Sequence, residues 1–426
     1  MIRTLLATTA VLALGAAGAR AETVAITHAH VLTMGKAGDL TDATVVIRDG
    51  VIASVGQGAA PAGARVIDGT GTIVTPGLIS ASDPISTVEI EGVEATVDTG
   101  TRNDRLSAAF DIQYAVNPDS ALLPVARMGG VTDAVVLPTM ERDKSRRDMF
   151  FAGQGAVIHL QGGAADPIRK AQAAMVLDMG EEGAGEAGGS RAAEYVLLRA
   201  MLVEVRRYSA NRAAYFKEAV DGYNLRREDM EALIPVVEGR MPLIVGVHRT
   251  ADIRQVLRLA REEKLHVILN GAEEGWRLAP EIAAAGVPVM LNAAADLPSS
   301  FEQLGSTLEN AARLNAAGVT VIIDNPPLFE GGRTPRFDAG RAVAHGLPYG
   351  AALAALTINP AKVFGVADRI GSVEVGKDAD IVVWSGDPLE TSSAPTAVFV
   401  KGVQMPLRSR GTELRDRYLP LDTATR

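Results

Sequence analysis

The stretch TIVTPGLISASDPIS, residues 72–86, decides how the rest of the chain is read. Thr72-Ile73-Val74 is a β-branched run, Pro76-Gly77 makes a corner, and Leu78-Ile79 leads into a polar loop. β-Branched residues favour strands, and a Pro-Gly pair interrupts them. The stretch therefore reads as a buried strand entering a larger unit, with the polar residues that follow, Ser82 and Asp83 among them, at its exit.

Upstream, residues 24–75 read as short strands joined by turns, with Asp49-Gly50 between two alternating β-branched runs as a hairpin signal. The same texture returns at the far end in IGSVEVGKDADIVVWSGDP and TAVFVKGVQMP, so both chain ends are expected to build one small β-sandwich. Between them strands and helices alternate. The strand candidates after TIVTPGLI are DAVVLP (133–138), AVIHL (156–160), AAMVLDM (173–179), PLIVGVH (242–248), LHVIL (265–269), VPVML (287–291) and VTVIID (319–324). Each is a short apolar run, as strands buried on both faces should be. Ile253, Val256, Leu257 and Ala260 mark one face of a following helix, residues 180–190 (GEEGAGEAGGS) read as a solvated loop, and a long helical stretch is expected over 191–233. The fold class is thus α/β, a (β/α)8 TIM-type barrel over 76–364 carrying a small β-sandwich from residues 22–75 and 365–426.

Composition bounds the function. The 426 residues are 47% hydrophobic, enough for a large core, and the net charge of −9 without a Lys/Arg block argues against nucleic acid as a partner. Residues 1–21 combine Arg3, an apolar run from Leu5 to Gly15 and Ala19-Arg20-Ala21, the pattern of a signal peptide and too short to span a membrane. A periplasmic or secreted location without membrane association is expected. With no cysteine, disulfides and thiolate metal sites are excluded.

On VIDGTGTIVTPGLI (66–79), ALTINPAKVFGV (355–366) and RIGSVEVGKDADIVVWSGDP (369–388), the chain resembles the amidohydrolase superfamily, and within it the imidazolonepropionase-like and prolidase-like branch. The resemblance implies a metal-dependent barrel that cleaves C–N bonds in cyclic amides or dipeptides. It also implies a ligand set: His-x-His on the first strand, a histidine on each of strands five and six, and an aspartate on the last, with a carboxylated lysine in some members. Residues i and i+2 of a strand face the same side, which is why the first pair has that spacing.

Aligned on Pro76-Gly77-Leu78-Ile79, the first pair is Ser82 and Pro84, poor and impossible zinc ligands respectively. His248 fits the fifth strand, and Asn270 stands where the sixth-strand histidine is expected. Aligned on Ala317-Gly318-Val319, the last-strand aspartate position holds Pro326, with Asp324 two residues earlier as the catalytic candidate. The mouth candidates are Ser82, Asp83, His159, His248, Asn270, Asn292 and Asn325, of which His248 is the metal-ligand candidate. His28 and His30 share the i, i+2 spacing but lie in the small sheet, and solvation accounts for Glu273 and Glu274. The first reading is an exported homologue without the usual metal centre and with no cofactor, binding a small molecule at the barrel mouth or pairing with a catalytic amidohydrolase relative. The second is a C–N hydrolase with a mononuclear zinc or other divalent site built from His248, His159 and Asp324, with or without Asp83. The third is a structural subunit, homo-oligomeric or joined to a catalytic relative, using the 191–233 helices as an interface.

Overall fold

A computed structural model describes residues 22–90, 92–103, 105–140, 150–163, 165–215, 217, 224–324 and 334–419. The leader at 1–21, Asn325 and Pro326 lie outside the described residues. The strands in chain order are β1 (Val24–Leu32), β2 (Asp39–Arg48), β3 (Val51–Gly56), β4 (Arg65–Asp68), β5 (Ile73–Pro76), β6 (Leu78–Ser80), β7 (Val131–Val136) and β8 (Phe151–His159). They continue with β9 (Ile168–Asp178), β10 (Leu243–Val247), β11 (Val267–Gly271), β12 (Val289–Asn292), β13 (Val321–Asp324), β14 (Ile381–Trp384), β15 (Pro395–Val400) and β16 (Val403–Gln404).

The two chain ends meet in one sheet, ordered β16-β15-β14-β5-β1-β2-β3, with β4 paired to β1. The expected sandwich is thus a single continuous sheet. It bends over a shared core of Ile26, Val45, Ile52, Val74, Ile381 and Phe399, side chains from both ends of the chain. Asp49 and Gly50 both have positive φ, +52° and +81°, the conformation that a tight two-residue hairpin requires.

The corner at Pro76-Gly77 is where the chain changes sheets. β5 stays in the small sheet, antiparallel to β14, and β6 begins the barrel. TIVTPGLI is therefore two strands in two sheets, not one barrel strand. Gly77 is required there because a Cβ would lie 1.9 Å from Thr132 Oγ1. Its N–H donates to Asp380 O (2.8 Å), which ties the corner to the C-terminal half of the small sheet.

The barrel sheet runs β6 to β13 in sequence order, and a parallel bridge from Ala81 to Asp324 joins its two ends. All eight expected strands are present, but β8 runs antiparallel to both β7 and β9. An apolar run carries no direction, so the sequence could not reveal this. Among the described residues no helix lies between β7 and β9. Instead the segment after β6 covers the reversed strand. Gln154 N donates to Phe110 O (2.7 Å) and Ser107 Oγ to Phe151 O (3.0 Å). Asp229 on a helix spanning Arg227–Val237 then accepts from Ser107 N and Ala109 N.

Every barrel strand sends one apolar side chain into the interior: Ile79, Val135, Val157, Val176, Ile244, Ile268, Met290 and Ile322. Phe364, fully buried, closes this core from the end where the strands begin. Helices at Arg191–Ala210 and Thr250–Glu263 pack outside; Ile253, Val256 and Leu259 of the latter are buried. Removing such a side chain costs about 2–5 kcal/mol. The expected loop at 180–190 contains a helix at Glu181–Glu186, with Glu181 and Glu182 at its N-terminus and Gly183 and Ala184 buried. Among the described residues of the 191–233 stretch, helices run at 191–210 and 212–215, and a further one starts at 227 and reaches 237. Among the described residues no helix is long and apolar enough to cross a membrane.

Candidate functional site

The parallel strands end at one mouth, where binding residues gather in barrels of this kind. Alternation along each strand sets which side chains point inward. Two residues beyond the interior layer are Asp178 on β9, Gly246 on β10, Asn270 on β11, Asn292 on β12 and Asp324 on β13. His248 stands two residues beyond Gly246. Gly246 is part of the site: a Cβ there would meet Asp178 Oδ1 at 2.1 Å.

His248 Nδ1 and Glu273 Oε2 are 2.5 Å apart. The turn that delivers Glu273 needs left-handed backbone at Gly271 (φ +86°) and Ala272 (φ +48°). A Cβ on Gly271 would lie 2.6 Å from the His248 ring. Glu273 and Glu274 are buried, so the expectation of solvated acids fails. Glu274 accepts from Thr250 N and Thr250 Oγ1 at the start of the 250–263 helix (3.0 and 2.7 Å). Burial alone would lower the pKa of His248, but the Glu273 hydrogen bond and the charges of Glu273, Glu302 and Asp178 raise it, favouring the imidazolium.

A short turn, Phe301–Gln303, holds this pair from outside. Gln303 Nε2 donates to Glu273 Oε1 (3.2 Å), and the neighbouring Glu302 pairs with Arg191. Trp276 Nε1 donates to Gly305 O (2.9 Å) just beyond the turn, under the guanidinium of Arg313.

Across the mouth, Ser82 adopts φ +55°, and Asp83 is buried with Oδ2 accepting from Ser80 Oγ (2.7 Å) and Oδ1 from Ile85 N (3.0 Å). Burial pushes its pKa up to about 6 against those two bonds. Asp324 is buried at the end of β13, opposite Asn292. Asn292 Oδ1 accepts from Ala294 N (2.8 Å), turning the chain away from β12, and Asn270 lines the wall half-buried.

His159 is not at the mouth. Because β8 is reversed, its C-terminal end lies at the opposite end of the barrel, with His159 opposite Asp133 near the start of β7. His159 Nε2 and Asp166 O are 2.7 Å apart, and Gln161 N donates to Nδ1 (3.3 Å), so both ring nitrogens are engaged. Burial, then the charges of Arg169 and Lys401, lower its pKa. The mononuclear centre built from His248, His159 and Asp324 is therefore impossible. His28 is exposed and paired with Asp42 in the small sheet.

The family resemblance implies a divalent metal, and the residues can be tested against it. His248 has the pattern of a ligating histidine, one nitrogen held by a carboxylate and the other left for a ligand. Its partners do not fit. Ser82 and Pro84 occupy the first-strand positions, Asn270 replaces the sixth-strand histidine, and Asp178 ends the fourth strand. Among the described residues no group of three or more His, Cys, Asp or Glu side chains is placed to hold a metal ion. The donor set does not suit the usual centre.

Asp178, Glu302 and Gln303 were not anticipated from the sequence. Asp178 carries a readable signal, an acid closing the apolar run AAMVLD; Glu302 and Gln303 lie in an irregular segment that offers none.

Residues 247–405 match the Amidohydrolase family. An imidazolonepropionase from Porphyromonas gingivalis is 26% identical over 391 residues, covering 80% of this chain and 82% of its own length. The amidohydrolase tasK of Hapsidospora irregularis is 24% identical over 376 residues; the match covers 80% of this chain but 37% of tasK. The chain thus spans little more than a third of that relative. The crystal structure of an amidohydrolase from Thermotoga maritima superposes with a TM-score of 0.79 and 25% identity, covering 90% of this chain and all of that one. The chain thus carries an Amidohydrolase family domain over residues 247–405 and is similar along most of its length to amidohydrolases, hydrolases among them.

Proposed function

We propose that this protein is an exported amidohydrolase homologue that binds a small amide-bearing molecule, a dipeptide or cyclic amide, at the barrel mouth without the family's metal centre. The carrying observation is the His248–Glu273 pair. With Nδ1 engaged by Glu273, Nε2 is left for a ligand, and it donates in the imidazolium form that the raised pKa favours. Asp178 and Asn270 supply acceptors at the next level down. A donor for C=O beside acceptors for N–H matches an amide, and the apolar floor of Ile244, Ile268, Met290 and Ile322 matches its hydrocarbon part. Ser82, Pro84 and Asn270 support binding rather than metal-assisted hydrolysis.

The test is calorimetric titration of the mature protein with a panel of dipeptides and cyclic amides, with product analysis of each mixture. Saturable binding that His248→Ala abolishes, without turnover, is expected. Turnover of a panel member that disappears in His248→Ala overturns it, as does failure of the whole panel to bind. Secretion is checked by fractionating cells that express the full chain, with cleavage expected after Ala21.

A second reading, a subunit of a larger assembly with its own copies or a catalytic relative, is favoured by Val196 and Val203. These lie one heptad apart on the 191–210 helix, 68% and 59% exposed. Light scattering of the purified chain, wild type against Val196→Glu/Val203→Glu, tests it; a monomer in both discards self-association.

A further inference from the structure

At the end of the barrel opposite the mouth, a second cavity lies between barrel and small sheet. Its volume is 350 Å³, at the small end of the range for small-molecule sites. We propose that this cavity binds a small oxyanion of the phosphate class, free phosphate or a small phosphomonoester.

The cations that line it come from three separate elements: Arg169 and Lys170 from β9, Arg369 from the segment before β14, and Lys401 from the turn between β15 and β16. Arg169 is already committed. It pairs with Asp133 and reaches Asp378 and Asp380 at 2.5 Å each, with 7% of its side chain exposed. The other three retain donors. Lys170 Nζ donates to Phe364 O (2.8 Å), and an ammonium has two further protons. Arg369 uses Nε and Nη2 on Asp378 Oδ1, leaving Nη1. Lys401 is fixed by its backbone, with φ +49° and its N–H on Asp380 Oδ1 (2.7 Å), while its charge reaches His159 across the cavity.

Against these stand two acids, Asp368 and Asp378, and Asp378 is already shared by two arginines. Asp133 and Asp380 stand behind them on Arg169, and burial drives Asp380 toward its neutral form, so four cations meet three charged acids and the ammonium groups of Lys170 and Lys401 are in no ion pair. Gly365 helps build it: with φ +69°, it leaves open the position where a Cβ would sit 2.8 Å from Lys170 Nζ. Converging ammonium and guanidinium donors are the usual recognition chemistry for phosphate oxygens.

The experiment is calorimetric titration of the mature protein with inorganic phosphate and with glycerol 3-phosphate, each at ionic strength matched with chloride. Saturable one-to-one binding with a dissociation constant of about 1 mM or below is expected, weakened about tenfold or more in Lys401→Gln and in Lys170→Gln. Arg254→Gln, which removes an exposed arginine elsewhere, should leave it unchanged. Tighter binding of the ester would identify a phosphomonoester site, and tighter binding of inorganic phosphate a free-anion site. Circular dichroism melts establish that each variant is folded. Absence of saturation by either anion up to about 20 mM, or equal weakening in all three variants, overturns the proposal.

Discussion

Asp178 Oδ1 occupies the space that a side chain at residue 246 would need, lying 2.1 Å from an ideal Cβ on Gly246. One strand thus gives up its side chain so that the next can point an acid into the barrel. Gly246→Ala must push Asp178 aside, and crowding of this kind costs about 1–3 kcal/mol. Urea unfolding should show that loss, and calorimetry should show weakened binding at the mouth. In Asp178→Ala/Gly246→Ala the stability loss should largely disappear while the binding defect remains.

The His248–Glu273 pair has a titration signature. A histidine with a raised folded-state pKa contributes stability that is fully present below the unfolded pKa, about 6.5, and is lost as pH rises through the folded value. Glu273→Gln should lower the pKa of His248 and flatten that loss above about pH 6.5. NMR titration of the His248 ring in both proteins measures the shift; an unchanged pKa would remove Glu273 as its cause.

Asp83 works in the same sense at lower pH. Its pKa rises from the usual 3.8 to about 6, so the native state holds the proton while the unfolded chain releases it. Stability should fall across that window by up to about 3 kcal/mol. Asp83→Asn keeps an acceptor for Ile85 N and should make that part of the pH profile flat, raising stability at pH 8. Chemical unfolding at pH 4, 6 and 8 tests it.

Arg169 fastens the barrel to the small sheet through Asp133, Asp378 and Asp380. Arg169→Met strands buried carboxylates and should cost about 3–5 kcal/mol. Arg369 meets Asp378 from the exposed side, with 59% of its side chain in solvent, so Arg369→Gln should cost no more than about 1 kcal/mol. Thermal melts separate the two.

Much of this architecture was legible because burial leaves a periodic trace. The barrel strands are apolar runs, and the two halves of the small sheet share an alternating texture. The reversal of β8 was invisible, since Phe151–His159 is buried throughout and reads the same in either direction. That reversal misplaced His159. His248 was legible as a histidine closing an apolar strand. Glu273 was discounted because acids after a strand are usually solvated; here the turn through Gly271 and Ala272 folds it back onto the histidine. Arg169 draws its partners from residues 133, 378 and 380, a relation that only the folded chain creates.

The central claim is that the mouth binds without the family's metal centre. The direct measurement is elemental analysis of the mature protein after gel filtration without added metal, repeated after dialysis against zinc. The account predicts far less than one equivalent per chain in both samples. About one equivalent of zinc, retained through gel filtration and lost in His248→Ala, would contradict it.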